Sequence, residues 1–231
     1  MRYDDVTRGV FLSRKNRFVA RVAVDGVEQD VHVKNTGRLA ELFLPGRTVF
    51  LARAAQGAAR RTAYDLIAVD AAQEGEPPNY VNVDSNAPNA AVEEWLCGGL
   101  FSEQASVRHE VRHGDSRFDF YVEDGKEQAF IEVKGVTLLR DGVALFPDAP
   151  TERGVKHIHG LAACLQEGYS AYLIFVIQTK GVHALSPNDA THPAFGAALR
   201  SAMAAGVTVL AYDCAVGPDH MCIGAPVSVV V

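Results

Sequence analysis

Three charged side chains converge between Arg117 and Lys134. Arg117-Phe118-Asp119-Phe120 and Ile131-Glu132-Val133-Lys134 read as two strands joined through Glu123-Asp124-Gly125-Lys126. Asp-Gly is a strong two-residue hairpin signal, because both central positions of a type I′ turn need positive φ. With Asp124 and Gly125 as the turn, Glu123 faces Lys126, Asp119 faces Phe130 and Arg117 faces Glu132. Side chains alternate along a strand, so Asp119, Glu132 and Lys134 share one face. Phe118, Phe120 and Val122 share the other with Ala129, Ile131 and Val133. A turn one residue longer moves Asp119 to the opposite face, at the cost of exposing both phenylalanines.

In this register Asp119 is diagonal to Glu132, and diagonal positions lie roughly 7–8 Å apart. Two carboxylates at that spacing can share one hard divalent cation, and Lys134 points at the same spot. An Asp, a Glu-x-Lys and a metal are a phosphodiester-cleaving set. The cation activates water and neutralises developing charge, while the lysine holds the nucleophile or the phosphate. A lone Glu-x-Lys is a common feature of solvated strands; the hairpin is what sets this one apart.

The elements that must position these groups divide the chain. Residues 10–83 carry short β-like runs: Phe18 to Val24, then Asp25-Gly26, then Val27 to Val33 as a second hairpin, with further strands at Arg47 to Arg53, Thr62 to Val69 and Tyr80 to Val83. Asn35-Thr36-Gly37 marks a turn between the second and third. Five short strands in this length suit a small closed barrel of the OB type. Arg17, Val19 and Arg21 share a strand face in this reading, a surface able to follow a phosphate backbone. Glu74-Gly75-Glu76-Pro77-Pro78-Asn79 is a polar break and Asn86-Ala87-Pro88 opens a helix, which predicts domains at 1–83 and 84–231. The second begins with a helix from Asn89 to Phe101, followed by strands at 106–112, 116–122 and 128–134. A helix from Glu152 to Gly168 carries Val155, Ile158, Leu161, Ala162 and Leu165 on one stripe. Ala171 to Ile177 is a continuous apolar strand of the kind buried on both faces. A helix from Pro193 to Ala205 and strands at 207–212 and 227–231 complete an α-β-β-β-α-β order.

Composition narrows the classes. The 231 residues are 48% hydrophobic and 22% charged, an ordinary balance for a soluble globular protein. No apolar run is long enough to span a bilayer, and Met1-Arg2-Tyr3-Asp4-Asp5 lacks the apolar core of a signal peptide, so the expectation is a cytoplasmic protein without a membrane partner. The net charge of −6 hides an asymmetry. Residues 1–83 hold 12 Lys+Arg against 10 Asp+Glu, and residues 84–231 hold 10 against 18. Positive charge bunches at Arg14, Lys15, Arg17 and Arg21, then Lys34 and Arg38, as a docking surface for an anionic partner would. An ordinary charged surface accounts for the counts equally well. Cys97, Cys164, Cys214 and Cys222 lack paired spacing and read as free thiols, with Cys214 and Cys222 as half a zinc site a weaker alternative. Gly98-Gly99 lacks the lysine of a phosphate loop, and no Gly-x-Ser-x-Gly elbow supports serine catalysis.

The element order, with acids on the second and third strands, resembles the PD-(D/E)xK nuclease superfamily. Asn35-Thr36-Gly37, Arg117-x-Asp119-Phe120, Ile131-Glu132-Val133-Lys134, the run from Phe146-Pro147-Asp148 through Thr151-Glu152-Arg153-Gly154 to Lys156-His157, and Leu210-Ala211-Tyr212 together resemble the sugar fermentation stimulation protein A (SfsA) family. That resemblance implies a mixed α/β chain, an OB-like N-terminal barrel joined to a PD-(D/E)xK nuclease-like αβββαβ domain. It also implies a DNA-binding protein with probable DNA/RNA nuclease activity, named for a proposed role in sugar (maltose) metabolism. Carried over by position, Asp119, Glu132 and Lys134 match the superfamily's catalytic residues. The first helix often adds an acid, for which Glu94, or its neighbour Glu93, is the candidate. In two places the chain departs from the pattern: Lys34 stands where a proline usually precedes Asn-Thr-Gly, and Phe118-Asp119 replaces the leading Pro-Asp.

Thr151 is a reasonable N-cap, and Arg153 and Lys156, three apart on the helix it opens, share a face suited to a phosphate. His157 and His159 read as polar-face residues, and His109 and His113 as structural or surface histidines. Two functions follow. In one, the chain is a Mg²⁺- or Mn²⁺-dependent nuclease acting on DNA or RNA: Asp119 and Glu132 bind metal, Lys134 positions water, Glu94 assists. In the other, it is a non-catalytic DNA-binding regulator that keeps the scaffold. Either would bind nucleic acid through Arg14, Lys15, Arg17, Arg21, Lys34 and Arg38, joined by Arg153 and Lys156. The sequence leaves the oligomeric state open, a homodimer included.

Overall fold

Six strands wrap the first third of the chain, as a computed structural model shows; it describes residues 1–35, 37–54 and 62–231, so Thr36 of the Asn-Thr-Gly turn lies outside the described residues. The strands are β1 (Val6–Asn16), β2 (Val19–Val24), β3 (Val27–Val33), β4 (Thr48–Arg53), β5 (Tyr64–Asp70) and β6 (Tyr80–Asn82). They lie in the order β3-β2-β1-β4-β5-β6, and a parallel β3–β5 pairing closes the first five into a barrel around Phe11, Val22, Val31, Leu51 and Leu66. The N-terminal unit is an OB barrel, as expected. Its membership differs by one strand: β1 closes the ring and β6 hangs outside it. Two register shifts within β1, between Phe11 and Ser13 and between Arg14 and Asn16, break the alternation by which a strand is read from sequence. The Asp25-Gly26 hairpin forms as expected, with φ of 51° and 78° at its two central residues and Val24 opposite Val27.

The rest of the chain builds a mixed sheet between helices. In order come α1 (Ala87–Trp95), β7 (Ser106–His113), β8 (Ser116–Asp124), β9 (Glu127–Val136), β10 (Leu139–Arg140), β11 (Val143–Phe146), α2 (Glu152–Gln166), β12 (Ser170–Ile177), β13 (Ala184–Pro187), α3 (Pro193–Ala205), β14 (Thr208–Val216), β15 (Met221–Pro226) and β16 (Ser228–Val229). The helix expected to reach Phe101 ends as an α-helix at Trp95 and continues through one irregular wide turn, where Gly98 takes a φ of 84°. The main sheet runs β15-β14-β12-β9-β8-β7, parallel from β9 through β12 to β14 and antiparallel at both edges. Phe130, Ile158, Leu161, Leu173, Phe175 and Phe195 pack between it and α2 and α3. Val92, Leu96, Ile131, Val133, Ile174 and Val176 pack against α1 on the other face. Consecutive residues of β12 thus enter opposite cores, which is why Ala171 to Ile177 is apolar throughout.

A dense junction joins barrel and sheet. Gln178, buried at the end of β12, donates through Nε2 to Asn82 O (3.0 Å), Asn82 Oδ1 (3.1 Å) and Asp84 O (3.2 Å), and its carbonyl accepts Asn82 N–H at 2.9 Å. Thr179 Oγ1 donates to Tyr80 O at 3.0 Å. Residues 1–3 cross to the far edge of the sheet, where Tyr3 N–H meets Asp219 O at 2.7 Å. Among the described residues no helix is long and apolar enough to cross a membrane.

Candidate active site

The hairpin between β8 and β9 is present with a different turn. Tyr121 faces Phe130, Glu123 faces Gln128 and Asp124 faces Glu127, so Gly125 and Lys126 form the turn, with Gly125 at a φ of 61°. Asp124 is kept in the strand because Ser102 donates to both of its oxygens, N–H to Oδ2 at 2.8 Å and Oγ to Oδ1 at 2.6 Å. The ladder ends at Phe120 opposite Ile131, and the next residues outward are Asp119 and Glu132. The two acids are therefore abreast rather than diagonal. The shift from the expected register is even, so β9 keeps its faces.

The expected single apolar face of β8 is corrected at Phe118. That ring joins the core under α2, while Phe120 and Val122 join the core under α1. The switch falls at Asp119, where pairing with β7 lapses opposite Glu110, itself at a φ of 54°. Freed from the ladder, the Asp119 carboxylate turns toward β9 and accepts the N–H of Val133 at 2.7 Å on Oδ2. Asn89 of α1 donates to Oδ1 at 2.9 Å. Burial, then the charge of Glu132, pushes the Asp119 carboxyl above the usual range.

Glu132 is 2% exposed, and its Oε1 receives both Lys134 Nζ and His157 Nδ1. Burial raises its carboxyl, but the hydrogen bond from His157 and the charge of Lys134 more than offset this and hold it below the usual range. Arg153 Nε–H reaches His157 Nε2 at 3.4 Å, which leaves the ring proton on Nδ1, aimed at Glu132. Thr151 caps α2 through Gly154 N–H at 3.0 Å and so fixes the turn bearing Arg153 and His157. Glu132 Oε2 is buried with no hydrogen-bond partner.

The site thus gathers Asp119, Glu132 and Lys134 and adds two residues, Asn89 and His157. His157 is no polar-face residue. It lies on the buried stripe of Gly154, Ile158, Leu161 and Cys164, a spacing that marks it as an inward polar side chain needing a partner. Glu94 is not part of the site: it is largely exposed and pairs with the amino group of Met1, while Glu93 pairs with His109 at 3.1 Å. α1 reaches Asp119 through an amide instead of an acid.

The basic residues divide. Arg14 donates to five backbone carbonyls, Asn16, Arg17, Asn35, Gly37 and Arg38, at 2.6–3.3 Å. Lys15 and Arg21 both pair with Asp30, at 2.8 and 3.0 Å. Lys34 lies between Asp65 (3.1 Å) and Asp84 (3.3 Å). Against expectation, the cationic groups of these four are held by acceptors of the chain itself. Arg17 sits in the β1–β2 turn rather than on the strand face, and Arg17, Arg38 and Lys156 are exposed. Cys214 is buried in the core while Cys222 is exposed and faces Ala215 across the ladder, so the two do not form half a zinc site.

Among the described residues no group of three or more His, Cys, Asp and Glu is arranged for a metal. What Asp119 and Glu132 offer is two hard oxygen donors, one oxygen orphaned and buried. Donors of this kind suit a hard cation, which takes oxygen ligands.

Comparison with known proteins adds family models, relatives and a structure. Residues 12–83 match the model of the SfsA N-terminal OB domain, and residues 86–220 that of the sugar fermentation stimulation protein RE domain. A sugar fermentation stimulation protein homolog of Desulfitobacterium hafniense is 50% identical over 221 residues, covering 96% of this chain and 94% of the relative. One of Ruminiclostridium cellulolyticum is 49% identical over 217 residues, covering 94% and 93%. The solved structure of Pyrococcus furiosus SfsA in complex with Ca²⁺ superposes with a TM-score of 0.85 at 26% identity, over 100% of this chain and 98% of that one.

Proposed function

This chain belongs to the sugar fermentation stimulation protein (SfsA) family, and from that premise we propose that it is a divalent-metal-dependent nuclease that hydrolyses phosphodiester bonds of DNA or RNA. The observation that carries the reading is the orphaned oxygen of Glu132, buried beside Asp119 and Lys134 where β8 and β9 part. An acid on each of two neighbouring strands and a lysine two residues on is the arrangement of PD-(D/E)xK nucleases. In this reading the barrel, residues 1–83, holds nucleic acid and residues 84–231 cut it. The Pyrococcus furiosus protein was solved with Ca²⁺, an ion of the same hard, oxygen-seeking class as Mg²⁺ and Mn²⁺.

Asp119 and Glu132 would hold Mg²⁺ or Mn²⁺. Such an ion, when bound, lowers the pKa of water and neutralises charge on the phosphate. Asn89 and the N–H of Val133 fix the Asp119 carboxylate, and His157 fixes Glu132, so neither acid reorganises as charge develops. Lys134, 16% exposed by side chain, keeps its ammonium at the mouth of the site, where it meets the attacking water or a non-bridging phosphate oxygen.

Purified protein with Mg²⁺ or Mn²⁺ should degrade labelled DNA or RNA, and EDTA should stop it. Glu132→Ala and Lys134→Ala should each lower the rate by about 10²–10³-fold with binding nearly intact. Undiminished cleavage by both variants would sink the assignment. A second reading is a non-catalytic DNA-binding regulator of sugar metabolism, of which the relatives' shared name supports only the link to sugar fermentation; wild-type protein that binds but never cuts would favour it.

A further inference from the structure

Among the described residues, most cationic groups of the barrel are spent on the protein itself, and Arg17 and Arg38, left over, lie close together. Arg17 and Arg38 are exposed, and Phe18, between Arg17 and β2, leaves 51% of its surface in solvent. They are neighbours because of Arg14. Its guanidinium lies over the Phe43 ring, 5.2 Å from the centroid, and ties the carbonyls of Asn16 and Arg17 to those of Asn35, Gly37 and Arg38. A shallow cavity of about 350 Å³ opens here, lined by Arg14, Arg17, Gly37 and Arg38.

Gly37 also lines a second cavity, of about 160 Å³, in the cleft between barrel and sheet, together with Ser85, Gly135, Thr137, Asp148 and Gln178. A Cβ on Gly37 would fall 2.6 Å from Asp148 Oδ2 and 2.9 Å from Asn35 Oδ1, so only glycine fits where the two cavities adjoin. A cavity of about 150 Å³ holds one benzene-sized ring. The cleft therefore has room of the order of one aromatic ring.

We propose that the ligand is single-stranded nucleic acid, gripped at Arg17, Phe18 and Arg38 and led past Gly37 toward the cleft between barrel and sheet. Phe18 supplies a stacking face, which is indifferent to sequence, and the two arginines supply backbone contacts. Asp148 and Gln178 offer acceptors to the edge of a base. That a strand held here is then cut rests on the proposed nuclease reading; the grip and the strandedness do not.

The test uses full-length Glu132→Ala protein in EDTA, so that binding is read without cutting. A labelled oligothymidylate of about 12 nucleotides should bind at least tenfold more tightly than a blunt duplex of the same length. Arg17→Ala with Arg38→Ala should flatten the log–log salt slope by about 1.4, at about 0.7 per lost contact. Phe18→Ala should weaken binding about fivefold or more and leave the slope unchanged. Photocrosslinks from a thiothymidine-substituted strand should map to Phe18 and to the peptide holding Thr137. Equal affinity for duplex and single strand, unchanged binding in both variants, or crosslinks confined to other surfaces would each overturn the proposal. Wild-type protein that fails to cleave would defeat the nuclease reading and leave these outcomes intact. Thermal melting of each surface variant confirms that it is folded.

Discussion

The barrel and the mixed sheet treat their charges in opposite ways. In the barrel Lys15 and Arg21 close on Asp30, Lys34 sits between two buried acids, and Arg14 is used up on carbonyls. In the sheet two carboxylates lie side by side, burial and the charge of Glu132 raise the Asp119 carboxyl, and one oxygen of Glu132 faces no donor. Counting charges favours the barrel as the chemical surface; asking which charges are left uncompensated favours the acidic half. Function is carried by what the fold leaves unsatisfied, because a satisfied group has little free energy left to give a ligand.

That contrast can be broken where the barrel is most self-contained. Lys34→Met should cost about 3 kcal/mol in urea unfolding, since it takes the cation from between Asp65 and Asp84, both almost wholly buried. Burial lowers the Lys34 pKa, but Asp84 and Asp65 more than offset it and the net shift is upward. The contribution is therefore complete below the ordinary lysine pKa of about 10.4 and is lost as pH climbs through the raised folded value. The variant should accordingly show a flatter alkaline decline than wild type. A cost near zero would mean that Lys34 is as spare as Arg17.

A smaller effect sharpens the other side. His157→Ala should weaken Mn²⁺ binding, read by calorimetry, by about 10–100-fold, because it frees Glu132 to turn away from Asp119. Unchanged Mn²⁺ affinity would remove His157 from the site. The smallest effect belongs to Lys15→Ala, whose exposed pair with Asp30 should contribute less than about 1 kcal/mol. Its salt slope for oligothymidylate should match wild type; a reduced slope would return Lys15 to the binding surface.

Local signals were legible in the sequence and distant ones were not. Asp25-Gly26 makes the expected turn, and among the described residues no hydrogen bond or ion pair draws Asp25 out of the hairpin. Asp124-Gly125 fails because Ser102, over twenty residues away, claims the Asp124 carboxylate. The burial of β12 and the extent of α3 follow from residues within each element. β1 escaped because its two shifts erase the alternation. Asp119, Glu132 and Lys134 could be grouped since one hairpin holds them all. His157 and Asn89 could not, because each meets its acid only once a helix is laid on the sheet. Glu94 had the right residue type on the right helix, but its carboxylate goes to the chain's own amino group.

The Gln178 junction sets a limit of its own. Three bonds from one buried amide, reinforced at Thr179 and by residues 1–3 on the far edge, tie the barrel to the sheet at two separate places. On the proposed function, the place where a strand is held and the place where it is cut are then a constant distance apart. A molecule built that way is a ruler: it would release fragments offset by a set number of nucleotides from whatever end or obstacle halts the strand at the barrel.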